Sequence, residues 1–215
     1  MVEGRESTKL TRVIDYVDDS ALVFRVAWYT VASKAGVYLA DYSEPEGASF
    51  EGRAKFSANI NSDSMEVGVV VKESDGTLSI DVSGPDQDKV HSLLDEITNS
   101  LNGSLDKYRV LETDDQGKVR RALVAKACWD RLVLLILKKK SISDIYYQVA
   151  HGREMMIKAT EGQDIHPIAL STSGWLANIE KLPREESMPA NLATALAKKS
   201  IEWKRDTVEV IQNFI

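Results

Sequence analysis

Residues 65–82 read Met-Glu-Val-Gly-Val-Val-Val-Lys-Glu-Ser-Asp-Gly-Thr-Leu-Ser-Ile-Asp-Val, and the fold is decided here. Two β-rich runs, 65–71 and 78–82, flank Ser74-Asp75-Gly76-Thr77. Asp-Gly supplies the positive φ angles that a tight two-residue hairpin turn needs, so an antiparallel hairpin is predicted. Leu78, Ile80 and Val82 alternate with Ser79 and Asp81, which gives this strand one wet face. Ser83-Gly84-Pro85 ends it, and a helix should follow. Val90, Leu93, Leu94, Ile97 and Leu101 form its apolar stripe, and Asp86 and Asp88 suit its N-terminal dipole. Asn102-Gly103 reads as its stop.

Upstream, residues 49–60 read as a strand with Phe50, Phe56 and Ile60 as its bulky apolar positions, after a polar break at 43–47. Residues 21–32 and 37–42 are rich in β-branched and aromatic side chains, with a turn at 33–36, and are predicted to be strands. Residues 8–18 fit a short helix, because Leu10, Val13, Ile14 and Val17 fall at i, i+3, i+4 and i+7, with Ser7 or Thr8 as N-cap.

Downstream of a polar stretch at 103–117 the pattern is mostly helical. Ser141 with Asp144 resembles a capping box before Ile142, Ile145, Tyr146 and Val149. A loop is predicted over 161–174, another between Pro183 and Pro189, and a last helix over about 190–214. Strands that follow one another without alternating helices favour hairpins over a parallel sheet. The expected fold is α+β: an N-terminal antiparallel sheet of four or five strands with flanking helices, then a mainly helical C-terminal half. The expected domains are an acidic, β-rich α+β domain at 1–110 and a basic, mainly helical domain at 118–215, with the boundary, or one fused junction, within 103–117.

Charge is sorted along the chain. Residues 1–117 hold 11 Lys and Arg against 22 Asp and Glu, and residues 118–215 hold 16 against 11. Within 118–140, Lys-Val-Arg-Arg-Ala-Leu-Val-Ala-Lys-Ala-Cys-Trp-Asp-Arg-Leu-Val-Leu-Leu-Ile-Leu-Lys-Lys-Lys, eight residues are basic and one, Asp130, is acidic. Such asymmetry usually reports a partner: a polyanion, an anionic membrane, or the acidic half of another copy. The apolar run 122–137 would span about 24 Å as a helix, short of a bilayer, and contains Lys126, Asp130 and Arg131. No transmembrane segment is expected. The polar N-terminus lacks the apolar core of a secretory signal, and the single Cys128, between Ala127 and Trp129, reads as a buried inert thiol. An intracellular, cytoplasmic protein is the expectation.

The basic segment allows three readings. Apolar residues occupy nearly its whole helical circle, which favours a buried central helix with basic ends. A surface amphipathic helix is the second reading, and a buried strand at 132–137 the third. Arg120, Arg121, Lys138, Lys139 and Lys140 are the candidate polyanion- or partner-binding residues, with Tyr146 and Tyr147 nearby as stacking candidates. Residues 141–160 fit a helix-turn-helix poorly, since Gln148 stands where a small residue is required.

Residues 69–78, Val-Val-Val-Lys-Glu-Ser-Asp-Gly-Thr-Leu, resemble the first motif of the haloacid-dehalogenase-like phosphatases, where a buried strand leads into Asp-x-Asp-Gly-Thr. In that family the first Asp is the phosphoryl nucleophile and the second a general acid/base. Here Glu73 holds the first position and Asp75 the second, and no following helix is readable; a hairpin turn accounts for Asp75-Gly76 without chemistry. His91, His151 and His166 are not spaced for a metal, so no metal site and no cofactor are expected. Ser171-Thr172-Ser173-Gly174 would suit an anion only at a helix start. Asp18-Asp19 and Asp114-Asp115 read as solvated turns.

The leading functional expectation is a non-catalytic interaction or assembly protein that self-associates, as a homo-oligomer or with a protein partner, through complementary acidic and basic surfaces. The alternatives are binding of a nucleic acid or an anionic membrane surface through 118–140, and an enzyme whose site assembles from residues distant in sequence.

Overall fold

The computed structural model of the chain describes residues 7–43, 50–60, 63–161 and 167–215. His166, most of the predicted polar break and the side chain of Ile60 lie outside the described residues. The fold is α+β, with a five-stranded antiparallel sheet and its helices first and a mainly helical half after it. The strands are β1 (Thr8–Asp15), β2 (Val37–Ser43), β3 (Glu51–Ile60), β4 (Asp63–Lys72) and β5 (Thr77–Gly84), ordered β1-β5-β4-β3-β2. The helices are α1 (Ser20–Ala32), α2 (Gln87–Arg109), α3 (Thr113–Leu137), α4 (Ile142–Ala159), α5 (Pro167–Ile179) and α6 (Ala190–Gln212). The chain divides into two compact units, 1–106 and 107–215, and α2 carries it across that division.

In the first unit β4 and β5 form the predicted hairpin, in register from Glu66↔Ser83 to Lys72↔Thr77. Its loop is longer than the two residues expected. Residues 73–76 make one 3-10 turn, and only Gly76 takes a positive φ, of 60°. Alternation then sorts the faces: Met65, Val67, Val69 and Val71 of β4 and Leu78, Ile80 and Val82 of β5 are buried, facing α1 and α2. Val90 of α2 lies beside Met65 and Gly84, and Trp28 of α1 meets Phe56 edge-on at 5.7 Å and Tyr42 at 6.0 Å. Tyr42 reaches that core because the β2–β3 register shifts between Leu39 and Asp41.

Four expectations fail here. Residues 8–15 are a strand, not a helix: Leu10, Arg12 and Ile14 point to one side, while Val13 is 60% and Val17 95% exposed, so the helical spacing was coincidental. Residues 20–32 are a helix, not a strand. Ten of its thirteen residues are buried, so neither period shows, and Asp19 caps it by accepting the Leu22 N–H at 2.8 Å. The 12-residue run was already long for a strand. Asn102-Gly103 does not end α2, because Leu105 and Tyr108 continue its buried stripe and leave only 110–112 between helices. Residues 167–174 of the predicted loop belong to α5.

The second unit is a helical array around α3. Trp129, Leu132, Ile145, Val149, Met156, Leu196 and Trp203 are among its core, and Cys128 is fully buried as expected. Ser141 caps α4: its hydroxyl accepts the Asp144 N–H at 3.1 Å and donates to the Asp144 carboxylate at 2.8 Å, in place of the reciprocal backbone bond of a full capping box. Gly152 lies mid-helix in α4, not at a helix end, because a Cβ there would sit 2.5 Å from the Trp129 ring.

Candidate functional site

The basic segment 118–140 is the buried helix α3, and neither the strand at 132–137 nor the amphipathic surface helix forms. Its interior contains charge. Lys126 and Asp130, four residues apart on one helical face, are 1% and 4% exposed, with Nζ 2.6 Å from Oδ2. Lys204 of α6 reaches the other carboxylate oxygen at 2.8 Å. One turn along the same α3–α6 seam, the Trp129 indole N–H donates to Thr207 Oγ1 at 3.0 Å, and the Trp129 and Trp203 rings lie 5.1 Å apart. Burial lowers the Lys126 pKa to about 8, and repulsion from Lys204 adds to that, against the attraction of Asp130. For Asp130 burial works upward, but the two ammoniums more than offset it and hold the carboxyl below its ordinary range. A lysine titrating near pH 8 is a common feature of catalytic sites. Here both carboxylate oxygens are taken by lysines, which is the form of a structural ion-pair network.

The basic residues expected to bind a polyanion or partner fall into two groups. Arg120 donates from Nε to the Tyr108 hydroxyl at 2.6 Å, and Arg121 lies half-buried against Gly117. Lys138, Lys139 and Lys140 are exposed just beyond the other end of α3, about 27 Å along the axis from Arg120. That end closes as a Schellman turn, with Lys139 N–H bonded to Ile136 O at 3.1 Å and Lys140 N–H to Leu135 O at 3.0 Å. Lys139 holds the left-handed position, φ 52°, where glycine is usual.

Of the stacking candidates, Tyr146 donates to Glu180 at 2.7 Å and carries Arg184 over its ring at 4.2 Å. Tyr147 is 60% exposed and stacks on His151 at 5.7 Å. The phosphatase-like string is the β4–β5 hairpin; its strands are antiparallel, and Glu73 accepts the Phe50 N–H at 2.6 Å. Residues 171–174 lie inside α5, where Ser171 accepts from Trp203 and Ser173 from Arg153, so no helix start offers amides there. Among the described residues no group of three or more His, Cys, Asp or Glu could hold a metal, and no helix is long and apolar enough to cross a membrane.

The sheet face away from the helices is polar. Lys9 and Asp81 pair at 3.1 Å, Lys55 and Glu66 at 2.9 Å, and Arg53 pairs with Glu51. Gly68 and Val70 leave a shallow depression of about 420 Å3 among these charges. No known protein family, no curated protein and no solved structure matches the chain.

Proposed function

We propose that this chain is a non-catalytic interaction and assembly protein whose two oppositely charged units draw copies of it together. One observation carries the reading: the charge division falls on the structural division. Residues 1–106 hold 9 Lys and Arg against 19 Asp and Glu, a net of −10, and residues 107–215 hold 18 against 14, a net of +4. Opposite charge on two units favours head-to-tail encounter and fixes its polarity. We assign that contact to Lys138, Lys139 and Lys140, which are exposed together just beyond the end of α3.

Light scattering across a salt series tests the proposal. Oligomer size should fall as salt rises from about 0.01 M to about 0.15 M, where the screening length drops from roughly 30 Å to 8 Å. Lys138→Glu, Lys139→Glu and Lys140→Glu together should reduce size at low salt while stability moves by less than about 0.5 kcal/mol per site. A monomer at every salt concentration refutes the proposal. Binding of single-stranded RNA or anionic vesicles that the triple variant loses, by a protein that stays monomeric, would assign the lysines to a polyanion instead.

A further inference from the structure

Strand β1 is an edge, and it is built unlike the other edge. It pairs with β5 through all eight of its residues in one unbroken register, while β2 carries a register shift at Leu39/Asp41. A bulge blunts an edge against further pairing, and a regular strand invites it. Among the described residues no strand pairs with the outer side of β1. Its core-side residues Leu10 and Ile14 stay only half-buried, and Val13 is 60% exposed on the opposite face.

We propose that β1 is a self-association edge, on which β1 of a second copy pairs antiparallel about a twofold axis at Arg12. Residues opposite each other in a sheet share a face, so the axis must pass through a residue of the strand. With Arg12 on the axis, Leu10 faces Ile14 of the second copy on the helix side. Thr11 then faces Val13 on the open side, and Lys9 faces Asp15. Each pair occurs twice. Moving the axis to Thr11 sets Leu10 against Arg12 and Lys9 against Val13, which loses both the apolar and the ionic match. Arg12 meets its own copy on the axis, but Asp95 neutralises each one at 2.8 Å. Asp15 makes no ion pair among the described residues, and Lys9 is 61% exposed beside Asp81. Such a contact is isologous and closes as a dimer of continuous sheet.

This pairing is distinct from the contact between oppositely charged units, and salt separates the two. It joins two acidic units, so screening should strengthen it where the unit-to-unit contact weakens. Sedimentation equilibrium of the full chain above about 0.15 M salt, where screening is short-ranged, tests it. A dimer is expected. Asp15→Lys turns two attractive cross-strand pairs into two repulsive ones and should raise the dimer dissociation constant roughly tenfold. Lys9→Asp combined with Asp15→Lys restores the pairing and should return the constant to within about threefold of the parent. A dimer indifferent to Asp15→Lys, or one the double variant does not rescue, overturns the pairing. Association that vanishes with salt and ignores both variants overturns it too, and leaves the unit-to-unit contact standing.

Discussion

Replacing Asp130 by Asn removes the one negative charge from the buried cluster and keeps the side chain's shape. The loss has two parts. Burial sets the Lys126 pKa at about 8, close above pH 7, so on its side the loss is limited to about 1 kcal/mol before the ammonium sheds its proton. Lys204, with its side chain 24% exposed, loses a charge-assisted hydrogen bond, worth about 1 kcal/mol after allowance for solvent. The expected destabilisation is about 2–3 kcal/mol at pH 7. Urea unfolding followed by tryptophan fluorescence measures it, since Trp129 and Trp203 line the same seam. Lys126→Met is the matched control. It removes the burial cost of an ammonium but leaves Asp130 held by Lys204 alone, so it should lose less than Asp130→Asn does at pH 7. An Asp130→Asn variant within about 0.5 kcal/mol of the parent, or a Lys126→Met variant that loses more than Asp130→Asn does, refutes the account.

Three more outcomes follow from the same unit. Lys126 binds fewer protons in the fold than in the unfolded chain between its folded pKa of about 8 and its ordinary 10.5, so stability should rise with pH across that window; a parent-minus-Lys126→Met difference that stays flat from pH 8 to 10 counts against this. Gly152→Ala places a methyl 2.5 Å from the Trp129 ring and should cost about 1–3 kcal/mol in thermal or urea unfolding, and an unchanged midpoint would mean that α3 and α4 part freely. Lys139→Gly relieves a left-handed lysine and should stabilise by about 1 kcal/mol, whereas a loss in calorimetry would mean the Schellman turn depends on the side chain.

The hairpin, the stripe of α2 and the Ser141 cap were legible because each rests on neighbours in sequence: Asp75-Gly76, Val90 to Leu101, Ser141 with Asp144. β1 and α1 exchanged types because burial, not local pattern, decides them. Arg12 sits on the core side of β1 beside Asp95, which hides the alternation, and α1 is covered on nearly every side. The buried charges were visible only in part. Asp130 stood out as the sole acid of 118–140, and its spacing from Lys126 is helical, but Lys204 lies 74 residues further along the chain and no local rule joins them. The separation of Arg120 and Arg121 from Lys138–Lys140 follows from helix length alone, once α3 is known to be one helix.

The placement of β1 beside β5 also sets a clock on synthesis. Thr8 pairs with Gly84, so β1 receives its partner only after roughly 70 further residues, or roughly 4–14 s at ribosomal rates. During that interval β2, β3 and β4 can pair locally, while β1 waits with both of its edges open. On a crowded message the nearest complementary strand can belong to the next ribosome's chain. Exchange of β1 between nascent copies is therefore the misfolding route this strand order leaves most open, and slower translation would widen it.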